Sequence, residues 1–431
     1  EGGDAGIGER LGEGDQLVHR VRRGPAVLLE QRLVVVEDQR FDLVRDAVEG
    51  AVDLAEIERE LNQLWREPTR QGINQTGIVP ARTSVLNLVI YAPAQDVAQR
   101  AQAVIDQLAA NHPSRAIILT VDETLAAGGK EHFETEVSTR CITEPGGSFA
   151  ACSEQVLITM PRDSLDVIPS IVVPLALPDL PTFVWWPERP PLADRQFARI
   201  ARLADRLIVD SLTFTRTVTN MNRLADLCRK LGNGCALSDL NWARLAHWRE
   251  MTAQFFDIPD CRWALNEVTH LTVELGRVAE RSPQPAQVML YVGWLAGRLG
   301  WALDEAWPYD EDHWVIHLRG VHDRPIVVDL RSRRAPAALD GYLLSVGIEA
   351  TTADREARFS LTRTGDDLGI VKMVATTDGE LRLEHAVRSA PPDLPALLVH
   401  ELEEASHNSI FEDALQEVAR YARQLARRRR T

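Results

Sequence analysis

Few side chains in this sequence stand where chemistry would need them, and each has a plainer structural use beside it. Arg115 opens the run Ser114-Arg-Ala-Ile-Ile-Leu-Thr-Val121. Its planar guanidinium could grip a carboxylate or phosphate at two points, or make an ion pair inside the fold. Asp210 and Ser211 end the run Asp205-Arg-Leu-Ile-Val-Asp-Ser211. The carboxyl end of a strand is where open α/β sheets build polar sites, and the same two residues are placed to cap the helix that follows. Trp242, Leu245 and Trp248 or Arg249 recur at helical spacing after Ser238-Asp239, either of which can cap the helix, and Arg244 lies in the same segment as a partner-binding candidate. Tryptophan with arginine is the composition of an interface hot spot, and also of a helix packed on a sheet. Trp185 and Trp186 close a strand-length run ended by Pro187. Adjacent strand residues point to opposite faces, so one ring is expected near the surface as a docking candidate.

The chain has five cysteines and no CxxC pair, which suits a reducing compartment better than a disulfide framework or a zinc site. Cys141 and Cys152 flank Glu144-Pro-Gly-Gly147, a hairpin punctuation. If Gly146-Gly147 form the turn, the two cysteines face each other and could form a cross-strand disulfide. If Pro145-Gly146 form it, they are two positions out of register. Two reduced cysteines packed in a sheet are the plainer reading. No nucleophile elbow, Walker loop or metal-ligand helix is found. Gly128-Gly-Lys130 lacks the upstream glycine of a phosphate loop, and Gly6-Ile-Gly8-Glu-Arg-Leu-Gly12 misses the dinucleotide spacing by one with no strand before it. His400 and His407 are two helical turns apart, too far for one ion, beside acidic residues that read as a solvated face. No catalytic residue, cofactor site or metal site is therefore assigned.

A net charge of −15 argues against nucleic-acid or anionic-membrane partners. Proline interrupts the longest apolar run, at 169 and 174, and no signal peptide is apparent, so a cytoplasmic protein is expected. Residues 1–45, with Leu33-Val-Val-Val36 as the only strong apolar cluster, read as a poorly ordered extension. Order is expected from Asp53, whose Asp-Leu-Ala-Glu56 resembles a capping box. A strand over 84–91, a helix over 94–110 and a strand over 114–121 make a βαβ unit, and two runs over 133–143 and 148–160 make the inserted hairpin. Val167 to Pro187 reads as a buried helix feeding a short central strand. A short helix over 196–203, a strand over 205–211, another over 268–274 and a helix over 285–299 follow. Beyond about 306, short alternating runs at 313–318, 326–330, 342–347, 358–363, 369–374 and 381–385 predict an antiparallel sheet, then one long helix over 395–427. The fold expected is α/β, a doubly wound and mostly parallel sheet with an inserted β-hairpin, plus a C-terminal antiparallel β-rich module ending in a long helix. Its divisions are 1–45, 46–163, 164–305 and 306–431.

Five segments carry a resemblance. They are Leu177-Pro-Asp-Leu-Pro-Thr-Phe-Val-Trp-Trp186 with Pro190-Pro191, His112-Pro-Ser-Arg-Ala-Ile117, Leu203-Ala-Asp-Arg-Leu-Ile-Val-Asp-Ser211, Asp239 to Asp257, and Tyr291-Val-Gly-Trp-Leu-Ala-Gly-Arg-Leu-Gly300. Over about residues 50–300 the chain resembles the glucose-6-phosphate dehydrogenase assembly protein family, OpcA. The resemblance implies a non-catalytic protein that binds glucose-6-phosphate dehydrogenase in the cytoplasm, promotes its active oligomer and raises its activity in the oxidative pentose phosphate pathway. Redox response within that family would make Cys141 and Cys152 switch candidates and thioredoxin a second partner. The competing class is an enzyme or ligand binder that holds a sugar phosphate or nucleotide near Arg115, Asp210 and Ser211. A scaffold without effect on activity is the third.

Overall fold

The structure, a computed structural model, describes residues 34–36, 40–46, 52–75, 79–109, 111–126, 133–143, 149–162, 164–279, 281–310, 312–364, 369–404 and 406–428. Most of the expected N-terminal extension lies outside them, as do residues 429–431 of the arginine tail. Within that extension, β1 (Val34–Val36) and β2 (Arg40–Asp46) are strands at a sheet margin.

Helix α1 (Leu54–Gln75) begins where Asp53 accepts the Ala55 and Glu56 amides at 3.0 Å, and it buries Ile57, Leu61 and Leu64 at helical spacing. After β3 (Val79–Arg82) come β4 (Leu86–Ala92), α2 (Gln95–Leu108) and β5 (Ser114–Val121), the predicted βαβ unit. The hairpin is β6 (Glu134–Thr143) with β7 (Phe149–Met160), and its register sets Cys141 opposite Cys152, the first of the two registers the sequence left open; the turn itself lies outside the described residues. Next are α3 (Ile168–Leu175), β8 (Thr182–Trp185), α4 (Arg195–Ala201), β9 (Arg206–Val209), α5 (Thr217–Leu231) and β10 (Ala236–Asp239). The strands order β1-β2-β6-β7-β5-β4-β8-β9-β10, with β3 also on β7. From β7 to β10 every neighbour is parallel. Strands before β4 in space come from one stretch of chain and those after it from the next, so the sheet is doubly wound, with its switch point between β4 and β8. Helices cover both faces, which is why β5 is buried along nearly its whole length.

Helices α6 (Leu240–Arg244) and α7 (Ala246–Phe255) lead to β11 (Val268–Arg277), and α8 (Ala286–Leu299) follows. Then come β12 (Ala302–Pro308), β13 (His313–Arg319), β14 (Pro325–Arg334), β15 (Leu343–Thr351), β16 (Glu356–Thr364), β17 (Ile370–Thr377) and β18 (Glu380–Arg388). The second sheet runs β12-β13-β14-β11-β15-β16-β17-β18 and is antiparallel except where β11 lies parallel to β14. The strand read at 268–274 is thus an inner strand of this sheet.

The expected single C-terminal helix is two, α9 (Leu394–Glu403) and α10 (Ser409–Arg428). The interruption has a cause on each side. Asn408 accepts the Phe411 amide at 3.0 Å and starts the second helix. Arg206 donates to the Glu404 carbonyl at 2.9 Å and the Ser406 carbonyl at 2.6 Å, satisfying backbone groups that a continuous helix would have used itself. Helix α8 is buried on nearly every side, and α10 crosses it closely. A Cβ on Gly293 would meet the Ala414 carbonyl at 2.4 Å, so only glycine permits this approach.

Candidate functional site

In a doubly wound sheet the crevice at the carboxyl ends of the switch-point strands is the default ligand position. Here it is occupied by the protein's own rings. Trp186, just past β8, stacks on Tyr91 of β4 with centroids 4.2 Å apart, and Phe197 of α4 meets it edge-on at 4.8 Å. The turn from β4 to α2 reads Ala92-Pro-Ala-Gln95, with no glycine to let a phosphate approach the backbone. Trp185 and Trp186 do face opposite layers, but both layers are covered and each ring is 1% exposed. The expected surface ring is absent because helices coat both faces of the sheet. Trp242 and Trp248 are likewise core, so none of the four rings is presented to a partner.

Arg115 is 2% exposed and bound within the fold through Nε and Nη1, while its Nη2 is buried without a hydrogen-bond partner. Its Nε donates to Glu154 at 2.7 Å, and its Nη1 donates to Glu58 at 2.5 Å and to the Leu175 carbonyl at 2.8 Å. It stands at the start of β5, whereas Asp210 and Ser211 follow the end of β9. In parallel strands those are opposite ends, so the three do not converge into the site proposed for a sugar phosphate. Arg249 lies over Trp242, its Cζ 3.6 Å from the ring centroid, and burial pushes its pKa down to about 10.

Polar chemistry gathers instead at the ends of β9 and β10. Asp210 caps the turn after β9 by accepting the Leu212 amide at 3.0 Å, and takes Arg244 in a two-point pair at 2.7 and 2.8 Å. Burial opposes the Arg244 charge, and Asp210 more than offsets it, so the guanidinium stays firmly protonated. Asp239, the last residue of β10, accepts the Ser211 amide at 2.9 Å and the Asn241 amide at 3.0 Å. Asn241 donates to the Ser211 hydroxyl at 3.2 Å and accepts from Gln287 of α8 at 3.0 Å. Asp239 Oδ2 is buried without a hydrogen-bond partner. Burial first, and the neighbouring Asp210 charge second, push the Asp239 carboxyl up to about 7. Asp210, Ser211 and Arg244 therefore belong to one network that ties β9, β10, α6 and α8.

Arg244 also reaches a cleft of about 240 Å³ between α7, α9 and the second sheet. Arg363 of β16, Tyr342, His247 and Trp248 of α7, and His400 of α9 line it. Arg363 donates to the Leu343 carbonyl at 3.1 Å and the Ser389 carbonyl at 2.6 Å, and burial lowers its pKa. Sequence reading missed Arg363 and His247, and weighed His400 only as a partner of His407, because the three are far apart along the chain. The one local signal was Pro391-Pro392, which fixes a stiff turn into α9 beside them.

Cys152 is buried and disulfide-bonded, while Cys228, Cys235 and Cys261 are free. Among the described residues no group of three or more His, Cys, Asp or Glu could hold a metal ion, and no helix is long and apolar enough to cross a membrane.

Two family models match the chain. One, described as the glucose-6-phosphate dehydrogenase subunit N-terminal domain, covers residues 105–226, and the other, described as the C-terminal domain of the same subunit, covers residues 235–415. The chain belongs to this glucose-6-phosphate dehydrogenase subunit family, known as OpcA. Similar relatives include the provisionally named OxPP cycle protein OpcA of Synechocystis sp., 26% identical over 319 residues, or 72% of this chain and 64% of that protein. The protein of the same name from Nostoc punctiforme is 29% identical over 329 residues, 72% of this chain and 66% of that one. The chain thus spans slightly under two thirds of the length of either relative. Among solved structures, KijD10, a 3-ketoreductase from Actinomadura kijaniata, aligns with a TM-score of 0.46 at 12% identity, covering 79% of this chain and 96% of that one.

Proposed function

We propose that the chain is a non-catalytic assembly factor for glucose-6-phosphate dehydrogenase, acting in the cytoplasm to favour the active oligomer and raise flux through the oxidative pentose phosphate pathway. The family match over both halves of the chain carries this reading. The ring stack in the switch-point crevice supports a role without turnover, since the usual place for a nucleotide is filled. A protein that binds the assembled dehydrogenase better than its subunits shifts that equilibrium by the difference in affinity and never touches substrate. The disulfide at Cys152, faced by Cys141 in the ladder, is assigned in this reading as a redox input, with the dithiol of thioredoxin as reductant. Reduction would consume two electrons and two protons and leave two thiols on this chain and a disulfide on thioredoxin.

The test is direct. Glucose-6-phosphate dehydrogenase is assayed for NADPH formation and for mass by light scattering, alone and with increasing amounts of this protein in reduced and oxidised form. A higher rate with a larger species is expected. No change in either rate or mass would overturn the assembly role, and equal effects of the two redox forms would remove the redox input alone.

A further inference from the structure

We propose that Asp239 is a proton switch at the junction of the two sheets, which holds β9, β10 and α8 firmly to β15 while it carries a proton and loosens that junction when it gives the proton up to solvent. This goes beyond the assembly reading and does not depend on it.

A chain of hydrogen bonds runs from this carboxyl group to the second sheet. Asp239 Oδ1 accepts the Asn241 amide, the Asn241 side-chain carbonyl accepts from Gln287 of α8, and the Gln287 side-chain carbonyl accepts the Leu343 amide of β15. Asp239 is fully buried, the Ser211 and Asn241 amides both fall on Oδ1, and Oδ2 has no hydrogen-bond partner. The neighbouring charges do not compensate for this. Asp210 is a second carboxylate, and Arg244 gives Nη1 and Nη2 to it at 2.7 and 2.8 Å, with its own Nε buried and unbonded. Tyr342 lies beside Arg244, its ring centroid 5.8 Å from Cζ, and Glu401 of α9 and Arg206 of β9 lie beside Ser238, the residue before Asp239. A neutral acid in this position leaves one hydrogen bond unmade, whereas a carboxylate would be a buried charge facing another. Burial and the Asp210 charge accordingly hold the proton on up to a pH of about 7. Once it leaves, Oδ2 is satisfied only by water or by movement of Arg244, and either opens the packing of Ser211, Asn241 and Gln287. In the loosened form Asp239 meets water and titrates at its ordinary 3.8, so loosening is favoured increasingly as pH rises from 3.8 to about 7 and levels off above.

The test is amide hydrogen exchange of the full-length protein at pH 5 and pH 7, corrected for the intrinsic rate and read on short fragments that span Ser211, Asn241 and Leu343. Protection at all three is expected to fall at least about tenfold between the two pH values, since each pH unit in this interval favours the loosened form up to tenfold. Asp239→Asn keeps the acceptor for both amides, cannot ionise, and should remove the pH dependence at all three. Gln287→Met cuts the chain in the middle, and should leave the pH dependence at Ser211 while abolishing it at Leu343. Native protection that does not change with pH, or an equal pH dependence in Asp239→Asn, would overturn the proposal. If Asp239→Asn does not fold, Gln287→Met decides, because a Leu343 amide that still follows pH as in the native protein overturns the coupling of the two sheets. The measurement contains no dehydrogenase, so its failure and that of the assembly role are separate results.

Discussion

Two places in this molecule sit at the carboxyl ends of strands in the same parallel sheet, and they have been put to opposite uses. At β4 and β8 the strand ends are packed with rings, Trp186 against Tyr91 and Phe197. At β9 and β10 the strand ends carry a hydrogen-bonded network of carboxylates and amides that reaches through Arg244 to a cleft. The same backbone geometry underlies both. What differs is whether the next layer is aromatic, as α4 supplies, or polar, as α6, α7 and β16 supply. A doubly wound sheet therefore marks where a site can be built, and side chains from outside the sheet decide whether one is.

The contrast can be broken most severely at Trp186. Trp186→Ala should cost about 3–5 kcal/mol of folding free energy, because it empties the centre of a packed aromatic cluster. Chemical denaturation would show it, and a loss under 1 kcal/mol would mean the crevice is not held by packing. At the other site, Asp210→Asn leaves the buried Arg244 without its anion and should cost about 3 kcal/mol.

Asp239→Asn should act in the opposite direction at high pH. The native carboxyl titrates near 7 against an ordinary value of 3.8. The folded protein thus holds its proton where the unfolded chain has lost it, and stability falls as pH rises through that interval and levels off above it. The asparagine variant keeps an acceptor for the Ser211 and Asn241 amides and cannot ionise. It should be more stable than the native protein at pH 8, by on the order of 4 kcal/mol, and close to it near pH 4. Melting temperatures across pH 4–8 that run parallel for the two proteins would contradict the assignment. His247→Ala and His400→Ala, on exposed side chains at the cleft mouth, should change stability by less than about 0.5 kcal/mol.

Local chemistry made much of this architecture readable. Of the two hairpin registers the sequence left open, the ladder has the one that faces Cys141 with Cys152, and Asp53 marked the start of α1, because turn and cap preferences act over a few positions. The alternation of Trp185 and Trp186 correctly sent them to opposite faces. It could not say that both faces are covered, which depends on helices contributed from elsewhere. The period over 394–428 looked continuous because Leu397, Leu398, Phe411 and Leu415 all face the core, and the break between α9 and α10 is enforced by Arg206, some two hundred positions earlier. Of the network, Asp210, Ser211 and Arg244 were legible as polar residues at strand and helix ends. The cleft was not, since β16, α7 and α9 meet only through tertiary packing.

β11 must wait for its neighbours. It pairs with residues 327–334 on one side and 343–350 on the other, and α8, which follows it, is covered by α10 near residues 414–418. During synthesis at about 5–20 residues per second, an apolar helix and a strand with two open edges are exposed for several seconds before any of these partners exists. Such surfaces recruit chaperones or one another. The C-terminal half is therefore a single kinetic unit, in which nothing from β11 onward is secure until α10 has emerged and settled against Gly293.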